Sequence, residues 1–510
     1  MGARSRTPVA IVAGIVLILA LLSMIPPSTA TYDPWAWIIW GREVVHGDLN
    51  TIDGPSWKPL PVVVTSLAAP LGSIAPDVWV VTARIGALSA VVVAFLLGRR
   101  TVGTVAGGVL AAAPLAFAPW FFWHGWLANS EGLLVVFVLG AALAELQGRR
   151  GIAMTCGVAA ALLRPEAWPF LLLYAAWVAW HADLRGRVGV LAGLAILPPA
   201  WLLPEKWGSG DFWRASTRAQ NPDPGAPSLT ERPWLTIVEN FAHMLPTTTW
   251  AVAAAVAVLS VALLVRDRRR PGAGEGPVAA TARTEAGQTT PVAPAGADAA
   301  QGASPAGGAP RPGGVRAPWA VVAALALFGL AWLVLVAIMT ERGYSGNERY
   351  LIQPAALLIV AAGVAAGLVL RRLQSPARTG LVVVAVAGIG FAAVSELPEQ
   401  VDSVLYEGRL VHDLDDAIAS AGGVERLKGC GGVSTLNLMV PQVAWALDEH
   451  AVDVKDAKFA RTPVVLRLRL QEGDILRPSV GRVPSMPVLA RTPYWQIEAA
   501  DCPATPGRTR

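Results

Sequence analysis

Long apolar runs recur along the chain, separated by short polar breaks. PVAIVAGIVLILALLSMI lies near the start, VVVAFLLG precedes Arg99, LLVVFVLGAALA follows Glu131, and comparable stretches continue to about residue 395. A bilayer core about 30 Å thick is crossed by about 20 apolar helical residues, fewer inside a bundle. On that measure eleven spans are predicted, near 8–26, 76–98, 102–119, 130–147, 151–163, 166–181, 188–204, 248–265, 318–340, 350–370 and 379–395. Arg164-Pro165-Glu166 interrupts the fifth and sixth, which read either as two spans or as one helix kinked at the proline.

Two segments break the pattern. Residues 267–317 begin with arginines and continue in Pro, Gly, Ala and Thr with scattered charges, too poor in apolar bulk to form a core, and read as a disordered linker. From 396 to 510 the periods are those of a small folded domain: the helix-like VHDLDDAIASA, the alternating VVLRLRL at 464–470, and WQIEAAD. The predicted fold is therefore an all-α polytopic membrane bundle with a small α/β C-terminal domain. It divides into a first core part at 1–266 with an outer loop at about 27–75, the linker at 267–317, three last helices at 318–395, and the domain at 396–510.

Composition and charge decide what the bundle is and how it lies. Of 510 residues 54% are hydrophobic and 15% charged, against about 25% charged in soluble proteins, which excludes a large soluble enzyme. The net charge of +5 would suit nucleic acid, but the arginines stand in short runs beside apolar segments, and no nucleic-acid partner is expected. Arg99-Arg100, Arg149-Arg150, Arg185 with Arg187, Arg266 to Arg270, and Arg371-Arg372 all fall on the side of the basic N-terminus when eleven spans are counted. The alternate loops carry mixed charges: Asp33 to Lys58, Glu131, Arg164 with Glu166, Glu205 to Glu239, and Glu341 to Arg349. The positive-inside rule then places the N-terminus in the cytoplasm, and the C-terminal domain and the varied chemistry outside. MGARSR and the run after it also read as a signal peptide, with a small-residue site at Ser28–Ala30. An uncleaved span is preferred, because the loop beyond it needs an anchor.

Outside the cytoplasm, Cys430 and Cys502 are expected to form a disulfide, closing a loop of 73 residues and stabilising the domain by roughly 2–4 kcal/mol. Cys156 lies in a span as a small apolar residue. No CxxC or HExxH occurs.

The first outer loop concentrates unusual chemistry. Asp33 follows the first span, PWAWIIWGREVVHG offers an interfacial helix with tryptophans at headgroup level, and GPSWKPLPVVVTSLAAPLG carries Lys58 ahead of a second span bearing Arg84. This order of an acid, an interfacial helix, a K-P-x-L element and an arginine-bearing span ending in GRR resembles the GT-C superfamily of membrane glycosyltransferases. It is most similar to the branch of protein O-mannosyltransferases and lipid A aminoarabinose transferases. WHGWLANSEGLLVVFVLG, with Asn129, Ser130 and Glu131, resembles the second outer acidic position of that family. ALLRPEAWPFLLLYA resembles its RPE segment, and GNERYLIQPAALLIV its R-Y-L-x-x-P element. The resemblance covers about 31–180 and 340–370, and WKPLP lacks the second consecutive proline of the family element.

The resemblance implies an inverting glycosyltransferase of a bacterial inner (plasma) membrane, moving a sugar from a polyprenyl-phosphate donor to an envelope glycan, lipid or protein. It implies Asp33 as catalytic base, Glu131 as a second catalytic acid, and Arg349 as the group holding the donor phosphate. No cofactor is expected, and no metal, the first outer loop having no DxD. Chemistry supports the same roles, since transfer needs a base for the acceptor hydroxyl and positive charge for the departing phosphate. Tyr350, Arg164, Lys58 and Arg84 are further phosphate candidates. Structural readings stand beside these. Asp33-Pro34 also suits a helix cap, Glu131 a cap or a partner of His124, and Arg349 an interfacial snorkelling residue. Arg164 with Glu166, and Arg84 with Asp77, also read as structural pairs. Most of the twenty tryptophans are expected in interfacial belts. A flippase of lipid-linked glycans, or a scaffold for envelope assembly, remains the alternative function.

Overall fold

The computed structural model describes residues 7–245, 318–471, 473–479, 486–500 and 502. The predicted eighth span, the arginines at 266–270 and the linker lie outside the described residues.

Each of the other ten predicted stretches is helical. The first is α1 (Thr7–Leu22). The outer loop follows as α2 (Tyr32–His46) and α3 (Pro59–Ala68). Then come α4 (Ala75–Val102), α5 (Val105–Ala116), α6 (Pro119–Trp126), α7 (Glu131–Leu146), α8 (Arg150–Leu163), α9 (Trp168–His181), α10 (Leu184–Ala195) and α11 (Leu197–Ser209). The short α12 (Arg214–Ala219) and α13 (Pro233–Met244) lead to the edge of the first described part, and α14 (Pro318–Glu341) and α15 (Ile352–Leu370) resume beyond it. The fifth and sixth stretches are separate helices, because the chain opens to an extended conformation at Arg164 (φ −146°, ψ 125°) before the turn at Pro165–Ala167.

Among the described residues, Pro59–Val102, Leu184–Ser209, Pro318–Glu341, Glu348–Leu370 and Ser375–Val394 are long and apolar enough to cross a membrane. The pair α5 and α6, bent by 65°, makes a sixth, and α1 and α8 are shorter apolar helices. The chain is a membrane protein.

The bundle is packed around α15, whose apolar window is 89% buried. Close approach to α5 depends on glycine: a Cβ at Gly363 would stand 2.1 Å from the Leu110 carbonyl oxygen. Small residues at such crossings let backbones meet where lipid offers no hydrophobic drive for association. The first turn beyond Arg349 belongs to this rigid helix, so the packing of α15 fixes where that arginine stands.

The helix α16 (Ser375–Ser420) does not end near residue 396; it runs through Pro398 into the C-terminal domain, where Leu410, Leu414, Ala417 and Ile418 enter the core. The domain adds α17 (Val424–Gly429), β1 (Val433–Thr435), α18 (Val440–Ala446), β2 (Val454–Asp456), β3 (Val464–Leu468), β4 (Val488–Arg491) and β5 (Trp495–Ala499). The strand order is β2-β1-β3-β5-β4, parallel from β2 to β3 and antiparallel through β5 and β4. VVLRLRL and WQIEAAD thus pair as neighbouring strands, with Leu466 opposite Ile497. Cys430 and Cys502 form the expected disulfide, with Cα atoms 4.4 Å apart.

The domain docks on α2. Ile39 enters the domain core, Trp35 meets Trp445 at 6.1 Å, and Arg42 reaches Asp448 at 2.6 Å. The α2 tryptophans therefore depart from the belt expected of them. Trp37 and Trp40 are wholly buried, because α2 is covered by α3 on one side and by the domain on the other.

Candidate active site

The mixed-charge loops predicted to share one side meet around a single cavity of about 1150 Å³. Its wall includes Asp33 and Lys58 from the first loop, His124 of α6, Arg164 and Glu166 from the break between α8 and α9, Arg218 of α12, and Arg349 and Tyr350 before α15. Residues as far apart in sequence as Asp33 and Arg349 are thus brought together by the return of each helix to the same end of the bundle. The described arginine runs sit at the opposite helix ends, as Arg99-Arg100 on α4 and Arg371-Arg372 after α15.

Asp33 is not the cap of α2. Thr31 holds that position, and Asp33 sits in the first turn. Its carboxylate meets Arg349 instead, with Nη2 3.0 Å from Oδ2, and both side chains keep some exposure to the cavity, 15% and 18%. The other arm of the same guanidinium donates to Asn129 Oδ1 at 3.0 Å. That oxygen also accepts from Thr31 Oγ1 at 3.0 Å, while Asn129 Nδ2 lies 3.3 Å from His124 Nδ1. Asn129 is therefore a hub joining the start of α2, the end of α6 and the segment before α15. Arg349 is no free snorkelling residue; it is held in a fork between a carboxylate and an amide.

Behind this pair lies a second charged layer. Glu131 is almost wholly buried in the first turn of α7 and pairs with Arg164. It does not reach the cavity wall; it acts on the cavity through Arg164. Glu166 stands farther from the same guanidinium, at 3.7 Å, and Arg164 packs over the Tyr350 ring at 4.5 Å from its centroid. Lys58 is buried over the Trp37 ring at 4.6 Å, with Ser130 Oγ at 3.4 Å from Nζ. An unpaired buried charge is costly. Here three cations and three carboxylates (Lys58, Arg164, Arg349; Asp33, Glu131, Glu166) are gathered together, which balances the formal charge without a ligand.

Arg84 is placed elsewhere. It is off the cavity wall, donates to the Ser23 carbonyl at 2.6 Å, to Ser28 Oγ at 3.0 Å and to the Trp126 carbonyl at 3.0 Å, and lies over the Trp126 ring. It clamps the end of α1 and the end of α6 onto α4, with these partners in place of Asp77. Sequence reasoning also passed over Glu205. Fully buried, it accepts from Thr51 Oγ1 at 2.9 Å and pairs with Arg214 at 3.5 Å, while Arg214 donates to the Pro55 carbonyl at 2.6 Å. This knot holds the loop that presents Lys58. An acid flanked by LLP and KW beside an apolar helix was the available signal. Asn129 stood out only as a neighbour of Glu131 in its motif, since an amide beside a membrane carries no comparable penalty. No group of three or more His, Cys, Asp or Glu side chains suited to a metal occurs among the described residues.

Comparison with protein-family models and with curated proteins finds no match. Against solved structures the chain shares its fold with a membrane-lipid-binding protein of known structure. Two structures of ArnT from Cupriavidus metallidurans are among those it resembles. The apo structure matches with a TM-score of 0.57 at 14% identity, over 98% of this chain and 99% of that one. The structure bound to undecaprenyl phosphate matches with a TM-score of 0.53 at 14% identity and the same coverage. At that identity the likeness is one of fold.

Proposed function

We propose that the protein is an inverting glycosyltransferase, transferring a sugar from a polyprenyl-phosphate donor to an envelope acceptor (glycan, lipid or protein) on the extracytoplasmic face of the membrane. The observation that carries this reading is the Asp33–Arg349 pair, 3.0 Å apart on the wall of one cavity. It puts a candidate base and a candidate phosphate ligand in direct contact. A neighbour of the same fold holds undecaprenyl phosphate, a lipid of the class that would leave in such a reaction. The asymmetry of the arginine runs supports the extracytoplasmic placement.

In this reaction Asp33 takes the proton of the acceptor hydroxyl as its oxygen bonds to the anomeric carbon. The bond from that carbon to the phosphate oxygen breaks on the opposite face, and its electron pair leaves on the polyprenyl phosphate. Attack and departure on opposite faces invert the anomeric centre. The Asp33 carboxylate is engaged by Arg349. A lipid phosphate in the cavity competes for the same guanidinium fork. Donor binding thus draws Arg349 toward the leaving group and frees the carboxylate for the proton. Lys58 and Arg164 add positive charge where negative charge develops, Tyr350 carries the ring on which Arg164 lies, and Glu131 holds Arg164 in place.

The test is transfer of radiolabel from polyprenyl-phosphate mannose and polyprenyl-phosphate arabinose to a membrane extract, by wild type and Asp33→Asn. Loss of a general base is expected to slow transfer roughly 10²–10⁴-fold while donor binding persists. Equal transfer by both proteins would remove Asp33 from the chemistry. Donor bound but never transferred by wild type would favour a flippase or a scaffold.

A further inference from the structure

One carboxylate on the cavity wall has no part in that scheme. Glu166 is 6% exposed, lines the cavity, and has an Oε2 atom buried without any hydrogen-bond partner. Its other oxygen has only the distant Arg164, at 3.7 Å, whose close partner is Glu131. A buried carboxylate with an oxygen left open costs several kcal/mol of desolvation unless something donates to it. A ligand in the cavity that brings donors would complete this carboxylate on its wall.

Its surroundings narrow the kind of ligand. Trp168, two residues on, and Trp201 both line the cavity. Their indole N–H groups are already given to the Ala161 carbonyl, at 3.0 and 3.1 Å, and the two rings meet edge to face at 6.3 Å. What they offer the cavity is ring surface alone. A carboxylate oxygen beside fixed indole rings suits a sugar, which presents hydroxyl donors on its edge and C–H groups on its face. Arg164, two residues before Glu166, lies over the ring of Tyr350 beside the proposed phosphate ligand Arg349, and in a glycosyl phosphate the sugar is bonded directly to the phosphate.

We infer that Glu166 is a sugar-recognition residue, accepting hydrogen bonds from hydroxyls of the donor's glycosyl group against the Trp168 and Trp201 rings. The inference rests on the polyprenyl-phosphate reading of the same cavity, and it makes the choice of sugar depend on a residue that takes no part in proton transfer.

Affinities of wild type and Glu166→Gln for polyprenyl phosphate and for polyprenyl-phosphate mannose, measured on the full chain in detergent, test it. The variant is expected to bind the sugar-free lipid as wild type does, within about twofold, and the mannosyl lipid about tenfold or more weakly, the range for losing a charged partner of a substrate hydroxyl. Equal loss for both lipids would make Glu166 only a counter-ion of Arg164, and no loss for either would remove it from the site. Should the variant fail to fold, wild type alone decides. A mannosyl lipid stripped of its ring hydroxyls is expected to bind it about as weakly as sugar-free lipid, and undiminished binding would overturn the inference. If wild type binds neither lipid, the donor reading itself fails; if it binds both equally, that reading stands and this inference falls.

Discussion

Arg349 shows how much a single side chain settles at this site. Its two terminal nitrogens serve different partners, Asp33 at 3.0 Å and Asn129 at 3.0 Å. A lysine offers one point charge and cannot keep both bonds. Arg349→Lys is therefore expected to raise the KM for the donor by about tenfold or more and to lower kcat as well, because a single point charge stabilises the departing phosphate less than the fork does; steady-state kinetics with a defined donor check this. A KM rise with kcat untouched would mean that the arginine serves binding only. At this scale the sequence was informative where charge is costly. Asp33, Lys58, Arg164 and Arg349 each stood out as ions beside apolar runs, and all four line the cavity. The same criterion selected Arg84, which the structure uses as a clamp on α1 and α6. Burial of a cation announces that it has partners, not which partners they are. Glu131 was legible as a buried acid yet acts one layer back. Asn129 was named only beside Glu131 in its motif, and its uncharged amide gave no sign that it is the hub.

Between helices, close approach does the positioning. The segment bearing Arg349 is carried by α15, and α15 can lie against α5 only because position 363 has no side chain. Gly363→Val would force the helices apart by the width of the added atoms, and overpacking of this kind typically costs about 1–3 kcal/mol. A fall in thermal stability together with weakened donor binding is expected, since the displaced helix carries the phosphate ligand with it. Stability lost with donor affinity unchanged would mean that the site tolerates movement of α15. Helix positions were largely readable because runs of apolar residues have one solution in a bilayer. Helix ends were not. The break at Arg164 resolved into two helices, while α16 continued past the expected boundary at 396, since Pro398 was tolerated within a helix whose next turns bury Leu410 and Leu414.

Across the whole molecule, the link between the bundle and the C-terminal domain is the feature least visible in the sequence. The strands and the disulfide could be read from alternation and from two cysteines outside the bundle, but nothing in either pattern says that the domain rests on α2. The contact is polar at Arg42, which meets Asp448, and at the neighbouring Glu43. Glu43 is buried, its Oε2 accepts from the Asn50 amide at 2.9 Å, and its Oε1 lies 2.7 Å from His450 Nδ1. Burial raises the Glu43 carboxyl above its ordinary range, opposed by the Asn50 amide, by His450 and by Arg42. Burial alone would lower the His450 imidazole, but the Glu43 hydrogen bond and the charges of Glu43, Asp48 and Asp453 outweigh it and hold it above its ordinary value. Arg42 is engaged with Asp448 and Lys428 with Glu449, so neither cation offsets His450 alone. Both groups bind protons more tightly in the docked state than free, so docking weakens as pH rises. The histidine contribution is full below about pH 6.5, its unperturbed value, and is lost as pH climbs through the higher value it has when docked. Hydrogen exchange in α2 and in residues 447–456, corrected for the intrinsic pH dependence of exchange, is expected to quicken over that interval in wild type. His450→Gln, which keeps a donor for Glu43 but does not titrate, should show a flat profile. A wild-type profile equally flat would mean that apolar contacts such as Ile39 and Trp35 against Trp445 hold the domain by themselves. A steep one in both would move the titration from His450 to Glu43 or another group. Because α2 carries Asp33 in its first turn and Glu43 in its last turns, about 15 Å apart along the helix axis, loosening of this contact would reach the proposed base from the far end of its own helix.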